Sequence, residues 1–452
     1  MRLNITRQLR IALTLAAVSL SACGGIYGSY TIGGTVSGLT GSGITGSVVL
    51  QNNGGDNLTV SANGSFTFAT RVISNISTTA TYNVTVLTQP LAQTCTVTGG
   101  SGIATENVTS VVVSCTSATA SLNAYVANAG SNAVAQFAIG PADALPATPT
   151  TTASAGISPS SISIDPAGKY VYVANYGNNT LSQYTLGTGG VLPATPTTTT
   201  PTGNFPSSIA IDPTGQYVYV TNYGSNTLFQ YTIGTGGTLP LTPTTTASTG
   251  LSPKSVAIDA LGKNVYVSNY GDSTISQYTI GPAGALPATP TTNTAAGGSN
   301  PISISVAPAG LHVYVANNGS NTLSQFTLGT GGILPATPTS TASTGIFPSS
   351  VTIDPAGLYV YVANAGSNSL TQYTLGTGGA LPATPTTSVA TGAGTLPNSI
   401  TSDSSGKHVY VANYGNHTIA QYTIGAAGAL PATPTTTSAS GGINPVFILI
   451  AK

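Results

Sequence analysis

Charge is what this sequence has least of. Lys, Arg, Asp and Glu make up 4% of its 452 residues, against roughly 25% in an average soluble domain. The formal net charge is zero, so the basic footprint of a nucleic-acid binder is missing and no nucleic-acid partner is expected. Arginine stops at Arg71 and glutamate occurs once, at Glu106. The rest of the chain therefore lacks the guanidinium fork that suits phosphate best. The three histidines, His312, His408 and His417, have neither metal-ligand spacing nor a carboxylate cluster beside them, so no metal or cofactor is expected. There is no G-x-S-x-G elbow and no glycine-rich phosphate loop leading into a helix. Helical periodicity is absent as well. Low charge does not mean disorder here, because 40% of the residues are hydrophobic and 22 are Tyr.

What is present begins with an export signal. Arg2, Arg7 and Arg10 precede a short apolar run, Ile11–Leu20, too short to span a bilayer as a helix. Residues 1–22 therefore read as a signal peptide. The run ends in Leu20-Ser21-Ala22-Cys23, which resembles a bacterial lipobox. That resemblance implies that Cys23 is acylated and becomes the new N-terminus, with residues 23–29 as anchor and linker. Several acyl chains give a stable membrane anchor. Gly24 follows the cysteine in place of the aspartate associated with inner-membrane retention, which points to the outer membrane of a bacterial envelope. Cys95 and Cys115 remain, both in strand-like segments, and in an exported protein they are expected to form a disulfide.

Residues 30–118 alternate apolar and polar positions in short runs such as "NLTVSANGSFTFAT" and "YNVTVLTQ", with turn signals between them. About ninety residues with some seven short strands suggest a small β-sandwich. It resembles the immunoglobulin-like or transthyretin-like modules that precede propellers, and its expected role is that of a spacer.

From residue 119 to 452 the chain repeats itself. The asparagine closing "YVAN", "YVTN" or "YVSN" falls at Asn128, Asn175, Asn222, Asn269, Asn317, Asn364 and Asn413. A period near 47 residues with several β-segments in each copy points to propeller blades. In the second copy "SSISID" (160–165) reads as strand A and "YVYVAN" (170–175) as strand B. "TLSQYTL" (180–186) reads as strand C and "LPATPTTT" (192–199) as strand D. Strand B is apolar nearly throughout, as a strand buried on both faces must be. Strand D carries prolines, which belong on an edge. The region opens on a strand B and closes on a lone strand A, residues 446–451, so the last strand completes the first blade. The fold class expected is all-β: a seven-bladed β-propeller preceded by a small β-sandwich.

The repeat "IDPAGKYVYVAN" resembles the YVTN-type repeat shared by surface-layer-like propellers and the lactonase family of seven-bladed propellers. The resemblance spans about 330 residues. It implies the fold, and for some relatives the hydrolysis of a sugar-phosphate lactone. Lactone hydrolysis needs a base for water and a stabiliser for the oxyanion. The acids at hand are Asp143, Asp165, Asp212, Asp259, Asp272, Asp354 and Asp403. Five of them share one A–B turn position, where they read as turn caps. Asp143 and Asp272 read as turn residues too. No catalytic residue is assigned. The reading favoured is non-catalytic binding or scaffolding at the cell envelope; the alternatives are a lactonase-like hydrolase and a self-assembling surface component. The candidate ligand face is the one carrying the B–C turns, where Tyr176, Tyr223, Tyr270 and Tyr414 follow the repeat asparagine and His417 departs from it. Exposed aromatics of this kind suit a glycan or protein ligand.

Overall fold

The structure is a computed structural model, and it describes residues 28–39, 47–75, 77–90, 93–117, 122–140 and 143–451. The expected signal peptide and Cys23 lie outside the described residues. The chain divides into two compact units between Ala120 and Ser121. No helix among the described residues is long and apolar enough to cross a membrane.

The first unit holds two four-stranded sheets. One runs Gly64–Thr67, Ile32–Ser37, Val108–Ser117, Gln93–Thr98; the other runs Asp56–Val60, Val48–Asn52, Thr81–Thr88, Ser101–Ile103. Both contribute to a single core that includes Ile32, Val48, Leu50, Phe66, Val84, Val111 and Val113. Alternation decides which residues go in: Val111, Val113 and Cys115 are buried while Val112 and Ser114 face outward. Cys95 and Cys115 lie directly opposite each other on antiparallel strands and form the expected disulfide.

The second unit is seven four-stranded antiparallel sheets, each made of strands A to D. Blade 2 comprises Pro159–Ile164, Tyr170–Asn175, Thr180–Thr185 and Thr198–Pro201. Blade 1 is built from both ends of the unit: Pro445–Ala451 pairs with Asn123–Asn128, followed by Ala133–Ala138 and Thr151–Ser154. The A strands touch one another in sequence, and Pro445–Ala451 touches Pro159–Ile164, so the ring is closed and the A strands are innermost.

Strand B is buried on both faces, as its composition requires: Val171, Tyr172, Val173 and Ala174 are all fully covered. The tyrosines do more than fill space. The Tyr172 hydroxyl donates to the Gly237 carbonyl (2.6 Å), Tyr266 to Gly332 (2.6 Å) and Tyr361 to Gly428 (3.0 Å). Each of these bonds ties a blade to the C–D turn of the next, at a net gain of about 1 kcal/mol. The A–B aspartates act as caps: Asp165 Oδ1 accepts the N–H groups of Lys169 and Tyr170, and Asp354 Oδ1 those of Leu358 and Tyr359.

Strand D differs from expectation. The ladder covers Thr198–Pro201, so the segment from Leu192 to Thr197, with Pro193 and Pro196, is a connection that precedes the strand. Proline offers no N–H to a ladder, and Leu192 is needed elsewhere. Its side chain is buried between blades and its N–H donates to Gln136 Oε1 of the preceding blade (2.7 Å).

Candidate functional site

The B–C turns and D–A loops meet at one end of each blade, and two bonds repeat there seven times. The residue after the repeat asparagine donates its N–H to the D–A loop residue that precedes strand A: Tyr176 to Ser158, Tyr223 to Phe205, Tyr270 to Ser252, Tyr414 to Leu396. The last residue of the B–C turn, always at positive φ, accepts the N–H of that same loop residue in the next blade. Asn179 Oδ1 serves Phe205 (2.8 Å), and Asn321 Oδ1 serves Phe347 (2.7 Å). His417 occupies the seventh of these positions, and its Nδ1 accepts the N–H of Asn444 (3.1 Å). His417 therefore does the asparagines' structural work, with Nδ1 as an acceptor.

Every strand A begins with a β-bulge. In blade 2 the pairing slips between Pro159 and Ser161, leaving Ser160 without a partner across the ladder. A bulge re-aims side chains, and here it lets two successive residues of each A strand line an axial cavity of about 370 Å³. The second of the pair is serine in six blades. Each such Oγ accepts an N–H from the next A strand, as Ser161 does from Ile209 (3.3 Å) and Ser255 from Ile304 (3.4 Å). As acceptors, these hydroxyls keep their own protons to offer. The bulged residue itself is Ser160, Ser207, Lys254, Ile302, Ser349, Asn398 or Val446. Ser160, Ser207 and Ser349 donate to the next blade's proline carbonyl at 2.7–2.8 Å, and Asn398 donates to the Val446 carbonyl.

Lys254 breaks this pattern. Like Ile302 and Val446 it makes no such inter-blade bond, but it alone among the described lining residues brings an amine or carboxylate to the cavity wall. It forms no ion pair among the described residues; its Nζ lies 5.4 Å from the centre of the Tyr223 ring. Desolvation by the surrounding wall lowers its pKa, although water still reaches the side chain. Tyr176 also lines the cavity, stacked on Phe205 (5.0 Å between ring centres, 23° between planes) and 6.4 Å from Tyr223. Burial first, and the neighbouring Tyr223 second, raise the Tyr176 phenol's pKa, which keeps its proton in place at neutral pH.

Of the expected ligand-face residues, Tyr176 and Tyr223 thus gather around one site. Tyr270 is half-buried and its carbonyl accepts from Asn300; Tyr414 is exposed away from the cavity lining. The other histidines belong to the ring. His312 Nε2 lies 3.0 Å from the Gly378 carbonyl, and His408 Nδ1 lies 2.8 Å from Asp403 Oδ2. Asp272 caps the N–H of Leu251, and Asp143 faces Lys407 at 3.8 Å. No cluster among the described residues could hold a metal ion. Sequence reasoning passed over Lys254. The available signal was a disagreement among copies, "PKSVAID" against "PSSISID", but its meaning depends on the bulge.

The comparisons with known proteins agree with this architecture. The family model described as lactonase, 7-bladed beta-propeller matches residues 58–192 and 103–393. A candidate 6-phosphogluconolactonase from Bacteroides uniformis is similar in structure at 19% identity and TM-score 0.64, covering 73% of this chain and 99% of its own. Another from Bacteroides fragilis is 18% identical with TM-score 0.63, over 74% and 99%. The periplasmic gluconolactonase of Pseudomonas aeruginosa is 16% identical with TM-score 0.62, over 74% and 99%. At these identities the likeness is one of fold. No curated protein matches the chain. The chain belongs to the lactonase family of seven-bladed β-propellers.

Proposed function

We propose that the propeller is a lactone hydrolase whose site is the axial cavity at Lys254. The observation that carries this is a substitution: where four other blades place a serine or asparagine bonded to the next blade and two place Ile302 and Val446, Lys254 alone puts a charged group on the cavity wall. A lone, partly buried amine on a cavity wall supports a chemical role. The family and the gluconolactonase-like neighbours support a lactone as the substrate. With one cation and no arginine, the wall suits an unphosphorylated lactone better than a phosphate dianion.

Water attacks the lactone carbonyl carbon, and its proton passes to the neutral Lys254 Nζ. The lowered pKa enlarges the fraction of amine able to accept it. Serine hydroxyls on the wall, Ser255 nearest in sequence, donate to the oxyanion. Collapse of the intermediate breaks the ring C–O bond, and the leaving alkoxide takes the proton back from the Lys254 ammonium. The product is an open-chain hydroxy acid. With δ-gluconolactone in a pH-stat, Lys254→Met should lower turnover about 100-fold or more while the fold is kept. Turnover equal to wild type would remove Lys254 from the chemistry.

A second reading, ligand binding without turnover, is favoured by the lack of any carboxylate on the cavity wall. It predicts saturable lactone or glycan binding with no ring opening. We further propose that the first unit is a small β-sandwich, and that acylated Cys23 anchors the protein to the outer membrane. Cys23→Ser protein that remained membrane-bound would refute the anchor.

A further inference from the structure

The loop residue just before each strand A proline sits at positive φ in all seven blades. Ser158, Ser252, Asn300 and Asn444 fill four of these positions. Small polar side chains, asparagine above all, tolerate that conformation. The other three are Phe205, Phe347 and Leu396, with φ of 55°, 51° and 45°. A bulky residue in this region is strained, and burial does not compensate it here. Phe205 is 45% exposed, Phe347 52% and Leu396 39%. The exposed part of each side chain buries nothing within the described residues, so it does not offset the strain. Each residue also sits one proline away from cavity-lining residues: Phe205 before Ser207, Phe347 before Ser349, Leu396 before Asn398. Phe205 further stacks on Tyr176, itself part of the cavity wall. Phe205 is therefore continuous with the site through Tyr176.

We infer that the ligand of this site carries an apolar chain or ring, which rests on Phe205, Tyr176 and the neighbouring apolar loop tips while its polar head enters the cavity. The inference rests on the lactone reading for the nature of that head, and adds that the substrate is an alkyl- or aryl-substituted lactone in preference to a fully hydroxylated one. Phe205 is a positioning and specificity residue; it does not touch the reacting atoms.

The test uses the full-length protein and three probes: δ-valerolactone, δ-decalactone (the same ring with a pentyl chain) and octyl glucoside below its micellar concentration. Burying part of the pentyl chain should make δ-decalactone bind about tenfold more tightly than δ-valerolactone. Phe205→Ser restores the residue of Ser158 and Ser252, so it should fold with unchanged or higher Tm. It should bring the decalactone-to-valerolactone ratio towards one and weaken octyl glucoside binding. Equal binding of the two lactones by wild type, a ratio unmoved by Phe205→Ser, or failure of both chain-bearing probes to bind would overturn the inference. Chain-bearing probes that bind through Phe205 with no lactone opened would uphold it and remove the hydrolase reading instead.

Discussion

Replacing Lys254 by serine should make the propeller no less stable. Three bulged serines show what the new side chain would do: Ser160, Ser207 and Ser349 reach the next blade's proline carbonyl at 2.7–2.8 Å. A serine at position 254 would offer the same donor to the Pro301 carbonyl, a gain of about 1 kcal/mol. The variant loses the cation–π contact with Tyr223, worth about 0.5–1 kcal/mol at a partly exposed site. It also removes the cost of holding an ammonium against a protein wall. The sum favours the variant slightly, a rise of about 1–2 °C in Tm for a unit of this size. The pH dependence adds a sign. Burial lowers the Lys254 pKa, so the unfolded chain keeps this proton to higher pH than the folded one. Wild type therefore gains stability as pH rises from that depressed value towards the ordinary lysine value near 10.4. The variant has no such gain, so its advantage should shrink over that window. Calorimetric unfolding of both proteins from pH 7 to 10 measures this. A variant less stable by more than about 1 kcal/mol, or a gap that widens with pH, would mean that Lys254 is part of the ring's own fabric.

Three further perturbations follow from the packing. Gly237→Ala should cost about 1–3 kcal/mol in thermal unfolding, because φ is 77° there and a Cβ would lie 2.4 Å from the Tyr170 ring; Gly236→Ala, at a position where Ala283 and Ala427 already stand in other blades, should cost far less. Replacing Cys95 and Cys115 together by alanine should destabilise the first unit by about 3 kcal/mol, a bridge of sequence separation 20, and leave lactone binding by the propeller unchanged. Burial alone would raise the Asp403 pKa, but hydrogen bonds from His408 and Ser405 and the Lys407 N–H outweigh it and hold it below the usual range. Its stabilising effect is therefore full above about pH 4 and is lost as pH falls through the lower folded value, so the stability gap between wild type and Asp403→Asn should close in acid titration.

The ring was legible because its signals are local and repeated. Strand B announces double-sided burial in every copy, and the stray strand at the C-terminus has one unfilled place to go. The D strand was misplaced because prolines mark an edge region without saying whether they stand in the ladder or just before it. Leu192, read as part of a rim, is an inter-blade plug, a contact between residues far apart in sequence. His417 looked like a departure from asparagine, yet it preserves the same acceptor for the same N–H. Lys254 looked like one polar residue among serines. Its singularity emerges once a bulge turns it to the axis and the surrounding serines are seen to be holding blades together. The end of the ring that carries the B–C turns was legible from the alternation of turns, but the strain at Phe205 was not, since φ is not written in residue identity.

Whether Lys254 stands at the ligand site can be read from its reactivity. Amine-specific labelling with peptide-level mass spectrometry compares it directly with Lys169, Lys263 and Lys407 in the same sample. Excess lactone should slow modification of Lys254 several-fold and leave the other three lysines unchanged. Labelling of Lys254 that is indifferent to saturating lactone would contradict that placement.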